Sequence, residues 1–336
     1  MRHYEFAEFG LEHLVCKTGD PRAPGDGEVR VAIKALSLNY RDLLILRGQY
    51  FPSLAGPTVP LSDGAGVIDA VGPGVQEWQV GDRVVSHFVA GWQDGPYSGD
   101  HAGTTLGLPG PGLAAEFVTL PAHALVAAPD RLDFAQAATL TIAGLTAWSA
   151  VVTEGAVSEG HTVLTLGTGG VSIFALQLSK ALGAKVIITS SSDDKLARAT
   201  QLGADAGVNY TQHPNWEKEV ASLTSRRGAD LVVENGGVAT LSRSLRAVRP
   251  GGTIAMLGAL SGLTGEVDIA PILMKRVRVA GILVDSRAAF RDLIRFVEEH
   301  QIDPVIDRRF SFDELPDALR YLESAQHFGK VVVELG

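Results

Sequence analysis

Thr162–Ala175 reads TVLTLGTGGVSIFA, and this stretch decides the fold. A short β-favouring run, Thr162 to Thr165, enters a glycine-rich turn, Gly167-Thr168-Gly169-Gly170-Val171-Ser172, and the turn opens a segment with helical spacing of its apolar residues. A strand that passes through G-x-G straight into a helix is the dinucleotide fingerprint. Its first glycine makes the tight turn, its second lets a pyrophosphate approach the backbone, and the anion rests at the helix N-terminus. Gly167 and Gly169 fill these positions, with Thr168, Gly170 and Val171 in the same loop. Ser172 stands where the fingerprint has its third glycine, the one that lets helix and strand pack closely; serine is small enough for the departure to be tolerable.

Toward the C-terminus the alternation continues: KVIITSSS, the helix DDKLARATQLGA, AGVNY, the helix NWEKEVASLTSRRG, DLVVENGG, the helix ATLSRSLRAV, GGTIAMLGA and RVRVAGILV. Nearly continuous apolar strands separated by amphipathic helices predict a parallel sheet covered on both faces, a doubly wound Rossmann domain over 127–287. Toward the N-terminus, EVRVAIKALSL, GAGVIDAVG, GDRVVSHFVA and AAEFVTLP are short strand-like runs between glycines and prolines. They predict a β-rich domain over 1–126, to which 288–336 returns with two helices and a terminal strand. The fold class is therefore α/β. Gly91–Gly112 is a Gly/Pro-rich loop of a length that is usually functional or mobile. Its Trp92 and Tyr97 are candidates either for covering an apolar substrate or for ordinary packing.

An NAD-preferring site places an acidic residue at the end of the second strand, to bind the ribose hydroxyls. Here that strand ends Thr189-Ser190-Ser191-Ser192, and Lys195 follows. Hydroxyl donors and a cation suit a 2′-phosphate, which a carboxylate would repel, so NADPH is the expected cofactor. Ser191 and Ser192 also suit the cap of the helix beginning at Asp193, and both roles can coexist.

Composition removes other classes. A net charge of −9 with 29 scattered basic residues forms no stripe along a phosphate backbone, so nucleic acid is not an expected partner. The N-terminus has no uninterrupted apolar core and the chain has no run of about 18 apolar residues, so a cytoplasmic protein off the membrane is expected. The single cysteine, Cys16, rules out an internal disulfide and a cysteine-rich zinc site, and reads as a half-buried strand residue. None of the six tyrosines has a lysine four residues on, which excludes the Tyr-x-x-x-Lys chemistry of short-chain dehydrogenases.

Together LNYRD with LRGQY, PLSDGAGVIDAVGPGV, GDRV, AAEFV, ATLTIAGLTAW, VLTLGTGGVS, LGADAGVNY, GGTIAMLG and FGKVVVEL cover nearly the whole chain. In these pieces the sequence resembles the medium-chain dehydrogenase/reductase superfamily, whose GroES-like catalytic domain precedes a Rossmann domain. The resemblance implies NADPH contacts from Ser191, Lys195 and Tyr210, with Gly258 of GGTIAMLG beside the cofactor and Thr146 on its nicotinamide side. Tyr210 also reads as a strand-end aromatic without a ligand. Zinc-dependent members carry a cysteine at Asn39, a Gly-His-Glu motif at Leu61-Ser62-Asp63 and a cysteine at Ile142. Asp63 alone cannot supply three protein ligands, so no metal is expected, and the chain looks like the zinc-independent branch near the quinone oxidoreductases.

Without a Lewis acid, hydrogen-bond donors must stabilise the developing charge, at roughly 3–4 kcal/mol for one well-placed donor. Conjugated acceptors, which spread that charge, are therefore expected ahead of simple alcohols: a quinone, an α,β-unsaturated carbonyl or a related carbonyl substrate. The alternatives are a zinc-free secondary alcohol dehydrogenase and a non-catalytic NADPH-binding sensor. Family position puts Asn39 at the floor of the catalytic cleft and Tyr50 nearby as proton or hydrogen-bond donor, with Asp42 more scaffold than acid. Asn39 and Asp42 equally fit a capping box for a helix beginning at Tyr40, and Tyr50 a core or surface role. RVRVAGILV is read as the last strand of the Rossmann sheet. The resemblance implies that this strand, Arg276 to Val284, pairs with its twin in a homodimer.

Overall fold

A computed structural model describes all of the 336 residues except Pro52 and Ala55. In chain order the first elements are β1 (Arg2–Glu5), β2 (Val15–Thr18), β3 (Glu28–Ser37), α1 (Tyr40–Leu46), β4 (Asp63–Val71), β5 (Arg83–Ser86), β6 (Phe117–Pro121) and β7 (Leu125–Ala127). Next come α2 (Phe134–Ala138), α3 (Leu145–Trp148), β8 (Thr162–Thr165), α4 (Gly170–Ala181), β9 (Lys185–Ser190), α5 (Asp193–Gln201), β10 (Ala206–Asn209) and α6 (Trp216–Leu223). The last are β11 (Ala229–Glu234), α7 (Val238–Ala247), β12 (Val248–Met256), α8 (Ala270–Lys275), β13 (Arg278–Gly281), α9 (Arg287–Glu299), β14 (Ile306–Ser311), α10 (Leu315–Glu323) and β15 (Lys330–Glu334). By its contacts the chain forms two units, Met1–Leu145 with Asp285–Gly336, and Thr146–Val284.

The first unit is built on a sheet of order β14-β15-β3-β4-β5-β7. The long strand β3 alternates, burying Val29, Val31 and Ile33 while Arg30, Ala32 and Lys34 are less covered, as a half-buried antiparallel strand should. One edge of β3 pairs with β4; the other is shared by β6 along Glu28–Ala32 and β15 along Ala35–Ser37. Helix α1 leaves the end of β3 and turns Leu43, Ile45 and Leu46 into a core with Phe6, Leu36, Leu38 and Val333. Each such side chain contributes about 2 kcal/mol on burial.

The second unit is the parallel sheet β10-β9-β8-β11-β12-β13. The chain lays β9 and β10 on one side of β8 and then returns to lay β11 on the other. The point where strand order reverses therefore lies between β8 and β11, and such a crevice at the C-terminal ends of strands is where this architecture binds ligands. Both faces are covered, and every residue of β11 is buried.

Several details differ from the reading of the sequence. Residues 127–145 belong to the first unit, because α2 packs on β3 and β4 with Ala135, Ala137 and Ala138 buried. The C-terminal segment carries β14 as well as β15, a parallel pair. Cys16 is exposed, on the two-stranded β1–β2 ribbon. The last strand of the Rossmann sheet is shorter than RVRVAGILV: Arg276 is left-handed, with φ 54°, and the edge strand β13 begins two residues later. Two π-helical stretches, Leu140–Gly144 and Ser149–Thr153, flank α3; such geometry recurs at functional sites.

Candidate functional site

In the Rossmann unit Gly167 has φ +73°, a conformation that any side chain would strain. Its N–H donates to Thr189 Oγ1 at 3.1 Å, tying the turn to β9. Gly169 is the N-cap of α4 and has an ordinary φ of −78°; a Cβ there would meet no protein atom within 4 Å. Neither backbone strain nor packing requires glycine at 169, so the bare surface suits an occupant from outside the chain. The first turn of α4, at Gly170 and Val171, leaves N–H groups without helical partners, the ready acceptor of a phosphate. Thr168 lies buried between the two glycines.

Ser172 explains its own presence. Fully buried, its hydroxyl donates to Leu166 O at 2.6 Å and accepts from Asn235 Nδ2 at 3.0 Å, while Asn235 Nδ2 also reaches Leu166 O at 2.8 Å. The serine thus joins the start of α4 to the ends of β8 and β11. Glu234 shapes the adjoining turn, accepting from Gly236 N at 2.8 Å, Gly237 N at 3.2 Å and the Thr240 hydroxyl at 2.6 Å. Gly258 backs onto Asn235 so closely that a Cβ would lie 2.7 Å from its carbonyl oxygen. Asn235 was missed in the sequence; its only signal was its place between a buried strand and two glycines.

At the end of β9, Ser190 is buried and its Oγ accepts from Ser192 N, while Ser191 is exposed. Ser192 is the N-cap of α5 and accepts from Lys195 N at 3.4 Å, so the capping role falls to Ser192 and leaves the Ser191 hydroxyl outside the cap. Tyr210 is 41% exposed and its N–H donates to Ser190 O at 3.0 Å, which brings it beside the serines. The nearby Asp193 spends both carboxylate oxygens on Asn209 Nδ2 at 2.7 Å and Gln212 Nε2 at 2.8 Å. Thr146 is buried in α3.

In the first unit Asn39 is the N-cap of α1 and the expected capping box with Asp42 is present, its stronger half the Asn39 N–H donated to Asp42 Oδ2 at 2.7 Å. The amide also donates from Nδ2 to Asp63 Oδ2 at 2.8 Å and accepts at Oδ1 from Lys330 Nζ at 2.7 Å. Lys330 Nζ also donates to Leu38 O at 2.6 Å, and the Ile142 N–H reaches Asp63 Oδ2 at 3.3 Å. Burial pushes the Asp42 carboxyl up to about 6, the Asn39 N–H and the cations Arg41 and Lys330 pulling it back. It likewise pushes Asp63 up and the Lys330 ammonium down, against their mutual attraction. Lys330 escaped the sequence reading as a site residue, although a lysine heading the apolar run VVVEL was its signal.

Tyr50 is 43% exposed. The Arg41 guanidinium lies 4.7 Å from its ring centroid and 4.8 Å from that of Phe88. Arg41 also donates to Ser62 Oγ at 2.8 Å, Leu106 O at 3.2 Å and Leu108 O at 2.6 Å, fastening the loop to α1. Trp92 is buried, its Nε1 on Gly95 O at 2.8 Å and its ring against Tyr97 and His101 at 5.1 and 6.0 Å. Its role is packing within the loop.

The profile of the alcohol dehydrogenase GroES-like domain matches residues 25–130, and that of zinc-binding dehydrogenases matches 170–299. Over 321 residues, 94% of this chain and 93% of the relative, the sequence is 42% identical to a zinc-type alcohol dehydrogenase-like protein of Schizosaccharomyces pombe. The chain belongs to the medium-chain dehydrogenase/reductase superfamily. Another member, a quinone oxidoreductase of Pseudomonas aeruginosa, is 31% identical over 343 residues, 99% of each chain. The crystal structure of a putative alcohol dehydrogenase from Sinorhizobium meliloti superposes with a TM-score of 0.93 at 44% identity, covering 99% of this chain and 98% of that one. This medium-chain dehydrogenase/reductase is accordingly an oxidoreductase, of the GroES-like plus Rossmann architecture, rather than a non-catalytic sensor.

The family name raises the question of zinc, and the residues present do not fit it. Of the positions that hold metal in zinc-dependent members, Asn39 is spent between Lys330 and Asp63, Ser62 between Arg41 and Leu106 O, and Ile142 is apolar. Among the described residues no three His, Cys, Asp or Glu side chains are grouped to hold a metal ion.

Proposed function

We propose that this oxidoreductase reduces a quinone, an α,β-unsaturated carbonyl or a related carbonyl compound with hydride from NADPH, and that it works without zinc. The observation that carries the reading is the Asn39–Asp63–Lys330 cluster, in which Asn39, at a position where zinc-dependent members hold the metal, is hydrogen-bonded to both Asp63 and Lys330. Gly167, Thr168, Gly169, Gly170 and Val171 would hold the pyrophosphate; Ser190, Ser191, Lys195 and Tyr210 would take the 2′-phosphate end, and Thr146 and Gly258 the nicotinamide end. When bound, the reduced nucleotide supplies the hydride. The chain's part is to receive the negative charge that then collects on the acceptor's oxygen. Tyr50 is the proton donor: its exposed phenol delivers a proton to that oxygen and recovers one from water. Asn39 and Asp42 act as anchors, since Asn39 is hydrogen-bonded on both sides of its amide and Asp42 Oδ2 holds the Asn39 N–H.

The test is NADPH consumption, followed by absorbance, with a panel of quinones, enones and ketones, beside zinc analysis of the same sample. Turnover of conjugated acceptors by zinc-free enzyme is the expected result. Fast zinc-free oxidation of simple secondary alcohols with negligible enone or quinone reduction would defeat it in favour of the second reading, a zinc-free NADP-dependent secondary alcohol dehydrogenase, which the names of the relatives favour. For the cofactor, Ser191→Asp is expected to weaken NADPH about tenfold while sparing NADH; equal effects on both would remove the 2′-phosphate assignment. We place the enzyme in the cytoplasm as a homodimer paired along β13, whose Val279 is 38% exposed at the sheet edge. A monomer in sedimentation would exclude that assembly. No helix among the described residues is long and apolar enough to cross a membrane.

A further inference from the structure

The proposed reaction leaves negative charge on an acceptor oxygen, and two cations of the first unit that act on buried Asp42, Lys330 and Arg41, differ in their freedom to answer it. Lys330 is attracted by two buried carboxylates, Asp42 and Asp63. Arg41 makes all its hydrogen bonds to neutral oxygens, those of Ser62, Leu106 and Leu108; buried Asp42 feels its charge, but no carboxylate forms an ion pair with it among the described residues. Its buried Nε has no acceptor among those residues either. The aromatic faces of Tyr50 and Phe88 hold the guanidinium without neutralising it. Moreover, it grips Ser62, the position of a metal-binding histidine in zinc-dependent members.

We infer that Arg41 is the electrostatic substitute for the metal, a positioning residue that acts through Tyr50. It holds the Tyr50 ring in place and makes the surroundings of that hydroxyl favourable to an oxyanion. The inference rests on Tyr50 being the donor and deepens that reading by narrowing the substrate class. In the favoured acceptors, hydride adds to carbon, the displaced π-electron pair moves to oxygen as an enolate or hydroquinone monoanion, and the Tyr50 proton then neutralises it. A guanidinium beside the phenol helps most where that anion is delocalised and persists long enough to be stabilised.

The test compares Arg41→Gln, Arg41→Lys and Tyr50→Phe with the parent enzyme, each with its melting temperature measured. Two readouts are taken: quinone turnover, and the ionised fraction of bound 4-nitrophenol from phenolate absorbance, which needs no cofactor. Arg41→Gln is expected to lower kcat about 10- to 100-fold with a much smaller change in KM. It should also lower the ionised fraction of the bound probe, and Arg41→Lys should restore part of both. Loss of melting temperature with unchanged kcat and unchanged probe ionisation overturns the inference. So does a parent enzyme whose bound probe ionises no more than free probe, a result that requires no variant to fold. Full turnover in Tyr50→Phe would instead sink the donor reading, whereas a slow Tyr50→Phe beside an unimpaired Arg41→Gln keeps Tyr50 and removes Arg41.

Discussion

At Asn39 every hydrogen-bonding atom is taken by the protein: N–H by Asp42, backbone oxygen by Asp42 N, amide nitrogen by Asp63 and amide oxygen by Lys330. At Gly169, by contrast, the carbonyl accepts the Ile173 N–H at 3.0 Å, but an added Cβ would meet no atom of the chain within 4 Å. Both are polar places at the mouth of a helix, α1 in one case and α4 in the other, yet only one has spare capacity. Substitution should therefore be felt as stability where the groups are spent and as affinity where they are not.

Lys330→Met probes the spent side hardest. It removes the ammonium that buried Asp63 and Asp42 both attract and is expected to cost about 3–5 kcal/mol, read by chemical denaturation. Adding Asp63→Asn should return part of that loss; no recovery would show that the lysine merely fills space. His87 follows. Burial holds its imidazole near 4, with the nearby Arg287 and His123 acting in the same direction and the Asp285 carbonyl, 3.1 Å from Nε2, opposing. Because the folded value lies below the unfolded one, the unfolded chain binds the extra proton first, so stability is lost as pH falls from about 6.5 toward 4, by up to about 3 kcal/mol. His87→Gln should flatten that limb of melting temperature against pH, and parallel curves would mean the histidine is accessible after all.

On the open side, Gly169→Asp offers α4 a better N-cap while setting a carboxylate against the incoming pyrophosphate. NADPH affinity should fall on the order of 100-fold in titration with the melting temperature held or raised; a melting loss of several degrees would show that the glycine serves the fold. The smallest effect is expected from Ser172→Gly, which restores the fingerprint but removes a hydroxyl between Leu166 and Asn235. It should destabilise by about 1 kcal/mol and leave affinity nearly unchanged, and a gain in stability would count against the serine link.

The same contrast governs what could be read in advance. Gly167-x-Gly169 was legible because strand, turn and helix are consecutive, and the strand–helix alternation around it predicted the parallel sheet. The Ser192 cap is equally local. Lys330 meets Asn39 across 291 positions of sequence, so spacing could not announce it. The Asn39 cap was anticipated, but the pull of Asp63 and Lys330 on its amide is tertiary. The break at Leu145 rather than Val126 has a similar origin: residues 127–145 look like the start of the second domain, and only the packing of α2 on β3 and β4 assigns them to the first.

β15 gives β3 a partner along Ala35–Ser37, where β6 does not reach, and the same strand carries the ammonium that Asp42 and Asp63 attract. Whatever loosens β15 is therefore felt twice in the first unit, as lost sheet pairing and as buried charge left uncompensated.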